Sequence, residues 1–99
     1  MLNIEKKAEG AKLEYELSGK IDTITAPELE AEVKGGLEGV EELVFDFANV
    51  DYISSAGLRV LLLAQKTMNQ QGKMIVKNCG KEIVEIFEVT GFIDILTIE

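Results

Sequence analysis

Apolar residues alternate with charged ones between Leu2 and Leu17: Leu2 and Ile4 first, then Leu13, Tyr15 and Leu17, with a break around Gly10. A period of two with polar residues between predicts an antiparallel hairpin that keeps one face in water. The next segment, Gly19 to Leu29, predicts a loop that runs into a helix, with Thr25 as N-cap and Pro27 in the first turn, where its missing N–H costs nothing. Leu29, Val33 and Leu37 then recur on one helical face, with Glu28, Glu30 and Glu32 turned outward. Gly35 and Gly36 weaken the last turn of this helix.

Leu43-Val44-Phe45-Asp46-Phe47 is a short apolar run of strand formers, expected to be buried on both faces. Leu58, Leu61, Leu62, Gln65 and Met68 follow helical spacing, and Gly72 is a natural stop. Met74 to Asn78 predicts another core strand, and Glu82 to Val89 a third helix with Ile83, Ile86 and Phe87 inward. After Gly91, the segment Phe92 to Ile98 is expected to add a last strand or turn. The order β-β-α-β-α-β-α-β predicts an α/β fold: a mixed sheet, part of it parallel, with helices packed on it.

The chain has 99 residues, 46% of them hydrophobic, and neither a repeat nor a low-complexity linker interrupts it. That is the material for one core, so residues 1–99 are expected to form a single domain. A formal net charge of −8 argues against a nucleic-acid partner, since the basic residues are scattered among nearly twice as many carboxylates. A basic protein surface suits such a chain better. The start Met1-Leu2-Asn3-Ile4-Glu5-Lys6-Lys7 leads into no long apolar stretch, so no signal peptide or membrane span is expected, and a soluble cytoplasmic protein is. Cys79 is the single cysteine, which rules out an internal disulfide and a cysteine-built zinc site. There is no histidine, so the commonest general base and metal ligand is missing.

Candidate chemistry concentrates in Val50-Asp51-Tyr52-Ile53-Ser54-Ser55-Ala56-Gly57-Leu58-Arg59-Val60, where a strand-like stretch passes through two serines into a helix. The first N–H groups of a helix lack internal partners and carry the positive end of its dipole, so a serine there can serve as cap, nucleophile or phosphate acceptor. The nucleophile is disfavoured: neither the G-x-S-x-G elbow nor a histidine to take the proton is present. A phosphate-cradling G-x-x-x-x-G-K-[ST] loop is also absent. No catalytic constellation emerges, and no enzyme, metal or cofactor is expected. Capping alone explains Ser54 and Ser55, with Asp22 a turn residue, Asp51 a strand-end acid, Arg59 a solvated helix residue and Cys79 a small buried hydrophobe.

Two segments nevertheless resemble, in order and over essentially the whole chain, the STAS-domain anti-sigma-factor antagonists of bacterial partner-switching pathways. Gly19-Lys20-Ile21-Asp22 followed by Thr25-Ala26-Pro27-Glu28-Leu29 is similar to that family's G-x-[IL]-D and the small polar residue, Ala and Leu beyond it. Val50 to Leu58 is similar to its phosphorylation segment, commonly D-S-[SA]-G-L, and Val89-Thr90-Gly91-Phe92 is a weaker echo of a later motif. By position, the resemblance implies phosphorylation at Ser55 and puts Ser54 where many members carry aspartate. It places the family's loop acid at Asp22, and a partner-binding surface on Asp22, Thr23, Ser54, Ser55, Gly57 and Arg59. Arg59, one helical turn after Ser55, is positioned to pair with a phosphate, to contact a partner, or to contact only water. The implied partners are an anti-sigma factor with serine kinase activity and a serine phosphatase. The competing expectation is a STAS regulatory subunit of a membrane transporter or larger signalling assembly, with Ser55 only a cap.

Overall fold

The computed structural model describes residues 2–99, and its elements are β1 (Leu2–Glu9), β2 (Lys12–Ile21), α1 (Ala26–Gly36), β3 (Glu42–Ile53), α2 (Ser55–Asn69), β4 (Lys73–Lys77), α3 (Lys81–Thr90) and a 3₁₀ turn at Phe92–Asp94. The sheet runs β1-β2-β3-β4; β1 pairs antiparallel with β2, and β2, β3 and β4 are parallel. This is the expected mixed α/β arrangement. Among the described residues no helix is long and apolar enough to cross a membrane.

The hairpin turns at Gly10, whose φ of 59° lies in the left-handed region that glycine enters freely. Alternation then buries Leu13, Tyr15 and Leu17 and leaves the residues between them half-buried. On β3 the same alternation puts Leu43, Phe45 and Phe47 on the helix-covered face. Phe45 stacks on Tyr15 with ring centroids 5.7 Å apart, and the Tyr15 hydroxyl donates to the Glu32 carbonyl of α1. Farther along, Phe47 meets Phe87 of α3 at 6.3 Å. Leu29 and Val33 of α1, Leu61, Ala64 and Met68 of α2, and Ile83 of α3 complete the core. Leu62 of α2 is only half-buried.

Four details differ from the expectations. Gly19 to Ile21 is not loop but the end of β2, because it pairs with Val50 to Ile53. For the same reason β3 does not end at Phe47. Its register against β2 slips twice, from Glu16↔Asp46 to Ser18↔Asn49 and from Gly19↔Val50 to Lys20↔Tyr52. Each slip adds a residue to β3, so its core positions run Phe47, Val50, Ile53, three apart instead of two. Helix α1 continues through Gly35 and Gly36 to the carboxyl side, where the Gln71 amide donates to the Leu37 and Val40 carbonyls beyond it. Finally, the C-terminal strand is reduced to a single parallel bridge between Val76 and Ile98. Gly91 ends α3 at φ 82°, and the Phe92 carbonyl accepts from Ile95 and Leu96, curling the chain before it can extend.

Candidate functional site

Parallel pairing of Ile21 with Ile53 brings the carboxyl ends of β2 and β3 side by side, and the Ser54 N–H donates to the Ile21 carbonyl at 2.8 Å. The β2–α1 loop, Asp22 to Thr25, and the start of α2 therefore share one edge of the sheet. Carboxyl ends of parallel strands are where sites gather in such folds.

Two buried side chains shape this edge from below. A β-carbon added to Gly57 would lie 2.6 Å from Ile21 Cγ2 and 2.7 Å from Ile53 Cγ1, so only glycine lets the first turn of α2 settle onto the ends of both strands. Gly57 is buried. Its place is that of a spacer under the helix, not the partner-facing position expected for it.

Ser54 is the N-cap of α2: its backbone is extended, φ −92° and ψ 175°, and its Oγ accepts a long bond of 3.4 Å from the Gly57 N–H. Ser55 is the first helical residue, exposed, and its hydroxyl has no hydrogen-bond partner among the described residues. No acidic side chain occupies the first turn of α2. The first turn of this 15-residue helix thus brings no acid of its own to its positive end.

Across the edge, Thr25 holds the N-cap position of α1 as expected but makes no side-chain cap bond, and Asp22 braces the turn before it. Asp22 Oδ1 accepts from the N–H groups of Ile24 and Thr25, each at 2.9 Å, and its carbonyl accepts from Ala26. The Thr25 hydroxyl turns back to donate to the Lys20 carbonyl at 2.8 Å and accepts from the Asp22 N–H. An inward-turned Thr25 is buried, and the two residues lock the loop. The Thr25 N–H, with smaller help from Ile24 and the Thr25 hydroxyl, outweighs partial burial and holds the Asp22 carboxyl below its ordinary value. Asp22 is therefore a fixed, ionised acid. Thr23 stands exposed between it and Ile24.

Arg59 points from α2 toward α1, with its Nη2 3.6 Å from Glu30 Oε1. Glu30 is held more closely by Lys34, at 2.9 Å, and Lys34 first and Arg59 second lower its carboxyl. Arg59 is 76% exposed, so this pair contributes little to stability.

Ile24 and Tyr52 are exposed at the same edge and escape a reading of the sequence by itself. Ile24 is 82% exposed although it sits just before a helix. Its signal is positional: it falls off the Leu29, Val33, Leu37 stripe and lies between two threonines. A separate acidic group, Glu14, Glu16 and Asp46, lies on the open face of the sheet, earlier along β2 and β3. Lys77 and Lys7 pair with Glu14 and Glu16, and the Ala48 N–H and the Asn78 amide bind Asp46, so these acids are satisfied by the protein.

Comparison with known proteins agrees with this architecture. The family model described as the STAS domain matches residues 3–99. BtrV of Bordetella bronchiseptica, which carries the provisional name of an anti-sigma factor antagonist, is 38% identical over 84 residues, covering 83% of this chain and 72% of its own. An anti-sigma-B factor antagonist of Staphylococcus epidermidis is 32% identical over 97 residues, covering 96% of this chain and 90% of its own. The crystal structure of an anti-sigma factor antagonist from Mycobacterium paratuberculosis superposes with a TM-score of 0.89 at 21% identity, covering 99% of this chain and 85% of that one.

Proposed function

This chain belongs to the STAS domain family, and on that premise we propose that it is an anti-sigma-factor antagonist switched by phosphorylation of Ser55. Unmodified, it binds an anti-sigma factor that is also a serine kinase and so frees the sigma factor in the cytoplasm. The kinase phosphorylates Ser55 and ends the binding, and a serine phosphatase restores it. The surface offered to the partner is Asp22, Thr23, Ser54, Ser55 and Arg59, with Gly57 beneath it as the spacer.

The observation that carries this reading is the division of labour between the serines: Ser54 caps α2, while the Ser55 hydroxyl is exposed and unbonded among the described residues. Free access is what a kinase needs of its acceptor. A phosphoserine brings about −1.5 to −2 charges, which a helix N-terminus accepts without refolding. Those charges would enter a surface that already holds the fixed Asp22 carboxylate, so binding is lost through charge and bulk in the contact. The role is regulatory and calls for no catalytic group of the chain's own.

The test is binding of the cognate kinase to wild type, Ser55→Ala and Ser55→Glu, with mass spectrometry after incubation with kinase and ATP. The reading expects binding by wild type and Ser55→Ala, loss with Ser55→Glu, and phosphate mapped to Ser55. Tight binding by all three, or phosphate on Ser54, overturns it. Co-purification with transporter components, together with indifference to both Ser55 substitutions, would point to the transporter-subunit reading instead.

A further inference from the structure

Resting on the proposed modification of Ser55, we infer that Arg59 is the phosphate's partner and that phosphorylation draws it away from Glu30 of α1. Ser55 and Arg59 stand four residues apart on α2, hence on one face, and a long helical side chain leans toward the N-terminus. From position 59 that direction leads back to residue 55.

Three observations favour the exchange of partners. The bond to be given up is weak: Arg59 reaches Glu30 only at 3.6 Å from a largely exposed position. Glu30 is not stranded by its departure, because Lys34 holds the other carboxylate oxygen at 2.9 Å. And no acidic residue in the first turn of α2 competes for the guanidinium. A phosphate offers more charge than one shared carboxylate and accepts two parallel N–H bonds from a guanidinium. The exchange neutralises part of the new charge within the domain and removes Arg59 from the α1–α2 groove, where it lines a cavity with Glu30, Lys34, Val60 and Leu63. Asp22 on the neighbouring loop and the exposed Asp51 near the end of β3 would oppose the phosphate, and Glu30 competes for Arg59.

The experiment installs phosphoserine at position 55 during translation, so that it does not depend on any kinase. The ³¹P resonance is then titrated in the otherwise wild-type protein, in Arg59→Gln and in Glu30→Gln. The second ionisation of a phosphoserine falls near pH 6 in general. With Arg59 as partner, it should lie about half a unit lower in the wild type than in Arg59→Gln, and no higher in Glu30→Gln than in the wild type. Equal midpoints for wild type and Arg59→Gln overturn the inference while leaving phosphorylation itself intact. Failure of the kinase to modify Ser55, by contrast, would strike the functional reading and not this one.

Discussion

Gly57 lies directly on Ile21: a β-carbon there would come within 2.6 Å of the isoleucine Cγ2, and within 2.7 Å of Ile53 Cγ1 on the neighbouring strand. Both isoleucines are buried and neither contact is a flexible chain end, so the helix must lift. Gly57→Ala should destabilise the fold by about 1–3 kcal/mol, the usual cost of overpacking a closed site. Urea unfolding checks this, and an unchanged midpoint would mean that α2 does not rest on the strand ends as described.

The two serines should separate in stability as they do in geometry. Ser54→Ala removes the cap of α2 and should cost about 0.5–1 kcal/mol, the low end for caps because the bond is long. Ser55→Ala, exposed and unbonded, should stay within about 0.5 kcal/mol of wild type. Thermal unfolding of both variants side by side is the measurement; a larger loss from Ser55→Ala would reverse the assignment of cap and free hydroxyl.

Asp22 links stability to acid. Its carboxyl is depressed in the folded protein, chiefly by the Thr25 N–H, so its stabilising effect is present above the ordinary aspartate value near 3.9 and is lost as pH falls through the lower folded value. Asp22→Asn should therefore lower the unfolding temperature at neutral pH, and the gap to wild type should close below about pH 4. A gap independent of pH would show that the ionised carboxylate is not what holds the loop.

Cys79 should react sluggishly. Half-burial, helped by the Asp46 charge, pushes its thiol up from 9.0 to about 11. At pH 8 the thiolate fraction is then about a hundred-fold below that of an ordinary thiol, and alkylation should slow accordingly relative to the urea-unfolded chain. Equal rates in the two states would contradict the burial.

Much of this was legible in the residues. The hairpin follows from the alternation of Leu13, Tyr15 and Leu17, and α2 from Leu58, Leu61 and Met68, because in both the core face repeats with the period of the element. Strand β3 was legible only to Phe47. Beyond it the buried positions Val50 and Ile53 fall three apart, a spacing that matches no strand until the two extra residues in its pairing with β2 are known. The C-terminal segment misled in the opposite sense: Phe92, Ile93, Ile95 and Ile98 read as strand formers, yet the curl after Gly91 leaves a single bridge. At α1, Thr25 as N-cap and Asp22 as a turn residue were legible, but not that the Thr25 hydroxyl turns back to the Lys20 carbonyl instead of capping the helix, because that contact depends on how the loop leaves β2.

By itself the sequence determined the local matters: which stretches are amphipathic, that a serine pair opens α2, and that no histidine or loop motif exists for catalysis, since each depends only on residue type and near spacing. Tertiary structure decided what joins across distance. It set the Asp22 loop beside Ser54 through the Ile21–Ile53 pairing, buried Gly57 under the helix, left the Ser55 hydroxyl free, and directed Arg59 to Glu30. Those relations come from register and helix packing between segments far apart in the chain, and periodicity within a single segment carries no information about them.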